Sequence, residues 1–181
     1  MKSKQNNNAI RCAIIFAWGI YKDDEILSPN TFLSLIACKE SKYWLEIGHR
    51  YPIYTQRDIT IPTEQYNGGV EYIEQASLNK PPSSYAIAAG AVEWMIENGY
   101  EKADIYAAPP HMKRCLRDME NAARERNLNI SLFPSRRLSE LELAWFSKES
   151  KQLRTQWRIV WIIRETMLRI MPWWLYKKIT A

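Results

Sequence analysis

Apolar runs separated by polar turns divide the chain into alternating extended and helical stretches. Residues 9–18 (AIRCAIIFAW) form a nearly unbroken β-branched and aromatic run that ends at Gly19, the pattern of a strand buried on both faces. Ser28-Pro29 then offers an N-cap followed by Pro at the first helical position, and a helix over residues 31–44 places Phe32, Leu35, Ile36 and Tyr43 near one face. Residues 51–55 predict a short second strand. Asn67-Gly68-Gly69 marks a turn, and residues 70–76 after it fit either a third strand or the start of a helix. Ser83-Ser84 opens a helix over residues 85–98, which Gly99 stops in the left-handed conformation. A strand over residues 103–108, a helix over 111–126 after Pro109-Pro110, and a last strand over 129–133 complete the body. Each parallel crossover needs a helix-length connection, so this alternation predicts a three-layer α/β/α, Rossmann-like fold with a mostly parallel sheet.

The pattern changes after residue 150. Residues 151–181 read as one long helix broken near Pro172, and they hold four of the eight tryptophans, Trp157, Trp161, Trp173 and Trp174. Seven basic residues oppose Glu165 alone, so this tail carries +6 of a chain whose total is +5, and residues 1–150 sum to −1. At 100° per residue Lys151, Arg154, Arg158, Glu165 and Arg169 fall in a stripe about 60° wide, with apolar residues over most of the remaining surface. So apolar a helix is expected to be buried across the sheet. Trp173-Trp174 followed by Lys177-Lys178 suits a bilayer interface or a partner's groove, and residues 172–181 are expected to be dispensable for folding. Residues 157–178 are thus the expected contact with a membrane surface or a second subunit. Nucleic acid is disfavoured as a partner, because the near-neutral body lacks a basic face.

The division expected is a polar leader over residues 1–8, an α/β domain over 9–150 and the basic C-terminal helix over 151–181. A chain of 181 residues buries roughly 70% of its unfolded surface and folds without disulfides or structural metal. Cys12, Cys38 and Cys115 are isolated and match no metal-ligand spacing, and MKSKQNNN lacks the apolar core of a signal peptide. The expected location is cytoplasmic, peripheral to the inner face of the membrane, with no segment that spans it.

Ligands of open parallel sheets bind at the carboxyl ends of the strands, which directs attention to residues 18–24, 55–58, 77–84 and 109–114. His111 follows a strand and opens a helix, where unpaired backbone N–H groups favour an anion, and Arg114 adds charge. Gly19, Asp23, Arg57, Ser83 and Ser84 lie on the other edge loops and are candidate ligand contacts, with Arg57 or Arg114 as the anion clamp and His111 as donor or general acid/base. There is no GxGxxG, no P-loop and no GxSxG elbow, so standard dinucleotide, ATP and serine-hydrolase chemistry finds no support. His49 falls at the opposite edge of the sheet, too far from His111 to act with it. No metal is expected.

The order of these features, AIIFAWG at residues 13–19, DDEILSP at 23–29, SSYA at 83–86 and IYAAPPHMKRCLRDME at 105–120, resembles the YdcF/SanA/ElyC family of α/β proteins. The His-Met-x-Arg match at residues 111–114 is its most specific part, and the similarity runs over roughly residues 10–170. The resemblance implies site roles for His111 and Arg114, with Gly19 as the close-approach glycine. It also implies S-adenosylmethionine as a ligand and a link to the bacterial cell envelope. Two loops depart from the family: Thr55-Gln56-Arg57-Asp58 replaces a glycine-containing turn, and Ser83-Ser84 replaces Asn-Thr. The function expected is binding, and turnover, of a small anionic or nucleotide-like ligand. The alternative is a non-enzymatic interaction protein acting through its tail.

Overall fold

A computed structural model describes residues 11–19, 28–56, 59, 61, 69–72, 82–140, 145, 146, 148 and 150–180. Its centre is a parallel sheet built from β1 (Arg11–Ile15), β2 (Ile53–Thr55), β3 (Val70–Tyr72), β4 (Lys102–Tyr106) and β5 (Ser131–Pro134), in the order β3-β2-β1-β4-β5. Residues 70–72 are therefore strand, with Val70 in register with Ile53. The order reverses direction between β1 and β4, which pair from Arg11↔Lys102 to Ile15↔Tyr106.

Alternation along the strands creates two cores. Cys12, Ile14, Phe16, Ala103 and Ile105 face α2 (Ser84–Asn98) and α3 (Pro109–Glu125), where Ala88, Ala91, Ala122 and Ala123 allow close approach. Ala13, Ile15, Ile53 and Tyr106 face α1 (Pro29–Glu46) and Leu138 of the short α4 (Arg137–Glu140). Helix α1 packs through Leu33, Ala37, Cys38 and Ser41, not through the expected face: Tyr43 is exposed, and Phe32, Leu35 and Ile36 are only half-buried. Small residues win that face because they let the helix sit close to the sheet. At the start of α2 the Ser83 hydroxyl accepts from the Ala86 N–H at 3.0 Å, and at its end Gly99 adopts φ 72°, as the sequence predicts.

The tail is three helices, α5 (Leu153–Gln156), α6 (Arg158–Ile170) and α7 (Trp173–Thr180), with the expected break near Pro172 and an unexpected one at Trp157. Trp157, extended at φ −126° and ψ 119°, breaks the first junction, and Met171-Pro172 breaks the second. Helix α6 runs beside α3 in the same direction. Trp161 lies against His111, Glu165 against Arg114, and the Leu168 carbonyl accepts from Arg117 Nη1 at 3.3 Å. Helix α7 is locked to the body by Tyr176, 1% exposed, whose hydroxyl donates to Asp118 Oδ2 at 2.6 Å. Tyr176 thus joins the core and Trp173 packs against it, whereas Trp174 and Ile179 stay exposed, a packing that argues against residues 172–181 being dispensable for folding. No helix among the described residues is long and apolar enough to cross a membrane.

Candidate functional site

The reversal between β1 and β4 opens the sheet's carboxyl edge at one place, and the chain leaving both strands lines it. After β1, Trp18 is 1% exposed and its backbone N–H donates to Asn30 Oδ1 at 2.7 Å, which ties the strand's exit to the first turn of α1. Gly19 follows with φ 76°, a conformation that a side chain resists. After β4, Ala107 and Ala108 are fully buried and lead directly into α3.

The start of α3 supplies no amide donors for an anion. Pro109 and Pro110 have no N–H, and the N–H groups of His111 and Met112 both donate to the Ala108 carbonyl, at 2.7 and 3.0 Å. The sequence-based argument from unpaired amides fails here. Positive charge comes from side chains instead.

His111 and Arg114, three residues apart on α3, do meet: Arg114 Nη2 lies 3.2 Å from His111 Nδ1. A guanidinium only donates, so Nδ1 accepts and the ring proton sits on Nε2. The imidazole is 6% exposed and enclosed by Phe16, Trp18 and Trp161, with ring centroids at 6.4, 6.1 and 5.4 Å. Burial first, then the charges of Arg114, Arg154 and Arg164, hold its pKa well below the ordinary histidine value, so it is neutral.

Those charges identify what the sequence reading missed. Arg154 on α5 feels the charges of Arg164 and Arg114, and Arg164 on α6 feels that of Arg114. Burial, then Arg164 and Arg114, bring Arg154 down to about 10, and burial, then Arg114, lower Arg164. The carboxylate that answers these charges is that of Glu165, 4% exposed, 3.3 Å from Arg114 Nη1 and felt by Arg164 as well. Trp161 backs the cluster, with the Arg114 guanidinium 5.0 Å from its ring centroid. Buried Arg114 Nε, Arg164 Nη1 and Glu165 Oε2 have no hydrogen-bond partner among the described residues. Donors left over in this way cost free energy unless a ligand accepts from them.

Other predicted residues fall elsewhere. Ser83 is occupied as the N-cap of α2, and the Ser84 hydroxyl donates to Asp118 Oδ2 at 2.7 Å, within the group that holds Tyr176. Asp23 and Arg57 lie outside the described residues. His49 is exposed beside Trp44 before β2, on the far edge. Burial raises the thiol pKa of Cys12, Cys38 and Cys115, which disfavours a thiolate nucleophile. Among the described residues no group of three His, Cys, Asp or Glu side chains forms a metal site.

A second polar group lies under α1. Asp104 accepts from Arg11 Nε and Nη2 and from the Tyr51 hydroxyl, each at 2.5 Å, and Tyr106 donates to Glu40 at 2.5 Å, beside a cavity of about 510 Å³. These groups satisfy one another, as a structural network does, whereas the arginine cluster keeps buried donors without partners among the described residues.

A scan against protein-family models finds no match for this chain, and a search of curated proteins finds no relative. What the structure shows is a generic Rossmann-like α/β fold with a parallel sheet.

Proposed function

We propose that the protein binds a small ligand carrying a phosphate or carboxylate group at the β1/β4 reversal, with Arg114, Arg154 and Arg164 as the anion clamp. The observation that carries this reading is the pair of buried, unpartnered guanidinium N–H groups, Arg114 Nε and Arg164 Nη1, in a cluster with three positive charges and one negative. Nε2–H of His111 is the neutral donor, and the indoles of Trp18 and Trp161, 1% and 4% exposed and packed on each other at 4.3 Å, wall off the buried side of the cluster. A bound anion offsets the charges that keep the imidazole neutral. Its proton affinity then rises, and this is the route by which His111 enters acid/base turnover. Kinship with the YdcF/SanA/ElyC family and a role in the cell envelope rest on the His-Met-x-Arg resemblance at residues 111–114. S-adenosylmethionine offers this clamp one carboxylate but carries sulfonium and ammonium charges with it, so a phosphate ester complements three guanidiniums better.

The test is a thermal-shift panel of inorganic phosphate, nucleotides, sugar phosphates and S-adenosylmethionine at matched ionic strength. A true ligand at a hundredfold excess over Kd stabilises by about 2.7 kcal/mol. Arg154→Gln and Arg164→Gln should each weaken that response. A panel in which every anion acts like chloride would refute the reading.

A further inference from the structure

Helix α6 is amphipathic in an unusual sense. Its inward face carries Arg164 and Glu165 beside Trp161 and Leu168, whereas Ile159, Ile162, Ile163, Met167 and Ile170 are all between 51% and 79% exposed. At 100° per residue these five span an arc of about 140°, a continuous apolar stripe. Thr166, exposed within the same arc, satisfies its hydroxyl inside the helix by donating to the Ile162 carbonyl at 2.8 Å. Exposed Arg158 and Arg169 border one margin, and half-exposed Trp157 and exposed Trp174 flank the two ends.

We propose that this outward face of α6 seats on an anionic lipid surface. Charge decides between this and a second copy of the chain. Within residues 150–180 the one carboxylate is Glu165, which is buried and turned toward Arg114. Two copies apposed through α6 would bring Arg158 and Arg169 against their like, with only the buried Glu165, already shared between Arg114 and Arg169, to offset them. Lipid phosphates supply the missing anions at the level where arginine and tryptophan anchor an interfacial helix. The helix is ~20 Å long, too short to span ~30 Å of hydrocarbon, and so lies in the interface plane.

The experiment is co-sedimentation of the full chain with vesicles of phosphatidylcholine alone and of phosphatidylcholine with phosphatidylglycerol. Melting by circular dichroism and sedimentation equilibrium accompany it. Wild type should pellet with the anionic vesicles only. Ile163→Glu with Ile170→Glu should cut partitioning by about tenfold or more at an unchanged melting temperature, since both positions face solvent. Arg158→Gln with Arg169→Gln, a pair that leaves the apolar stripe intact, should reduce it roughly fivefold per arginine and lessen its salt dependence. Equal binding to neutral vesicles, no binding to either, or binding untouched by both variants would overturn the proposal. So would a wild-type dimer that the glutamate variant converts to monomer, which would assign the face to a second copy.

Discussion

Glu165→Gln removes the single carboxylate from the arginine cluster while keeping the side chain's volume. The pair it breaks, Arg114 with Glu165 at 3.3 Å, has side-chain exposures of 6% and 5%, so water compensates poorly. Breaking a buried ion pair from one side costs about 3–5 kcal/mol; Gln retains an acceptor, which sets the expectation at the low end, about 3 kcal/mol. The second pair of Glu165, with Arg169, is half-exposed and adds little. For a chain of 181 residues, that loss lowers the melting temperature by about 6–12 °C. The same change should leave the cluster a better anion receptor, since no internal carboxylate must be displaced. Phosphate at a hundredfold excess over Kd then returns about 2.7 kcal/mol, nearly the whole deficit, while wild type responds less. The assay is thermal unfolding in phosphate-free buffer, titrated with phosphate or with sodium chloride at equal ionic strength. A variant that melts with wild type, or one that chloride rescues as well as phosphate, would show that the cluster is not a charge-balanced anion site.

Other expectations follow from the same contacts. His111 is neutral and buried, with its folded pKa below the usual 6.5, so the native state binds fewer protons than the unfolded one. Its contribution is complete above about pH 6.5 and is lost below, at up to about 1.4 kcal/mol per pH unit, a slope that His111→Gln should remove from chemical-denaturation curves. Trp161→Ala should cost about 3–5 kcal/mol, because a side chain 4% exposed leaves a cavity between Trp18 and His111. Ser84→Ala should destabilise by about 1–3 kcal/mol through the partly unsatisfied Asp118, with anion affinity unchanged in calorimetric titration. Truncation after Met171 should lower the melting temperature and promote aggregation, since it uncovers the core that Tyr176 fills.

The body of the fold was legible because its strands are apolar on both faces and its helices carry local stop and start signals. Ser83 and Gly99 cap α2 as their residue types require. The packing face of α1 was misread for a physical reason: large side chains attract a periodicity argument, but Ala37 and Ser41 pack against the sheet because they are small. His111 and Arg114 were found from their place after β4, although the amide argument attached to them failed at Pro109-Pro110. Arg154, Arg164 and Glu165 were missed because a helix read as continuous puts Arg154 and Glu165 in one solvated stripe. The extended Trp157 uncouples Arg154 from that register, and Glu165, 40° around α6 from buried Trp161, lies on the inward margin of the stripe, where it pairs with Arg114. The one available signal was local, the i, i+3, i+4, i+7 spacing of Trp161, Arg164, Glu165 and Leu168.

The paired prolines at the mouth of α3 bear on how such a site can change over evolutionary time. A loop that grips phosphate with backbone amides keeps its preference through most side-chain replacements, because the donors belong to the main chain. Here Pro109 and Pro110 withhold those donors, and in the proposed site the attraction resides in side chains from α3, α5 and α6. Single-codon changes at Arg154 or Arg164 can reset the charge of the site, and with it the class of ligand admitted, while the strands and the helix that frame it stay as they are.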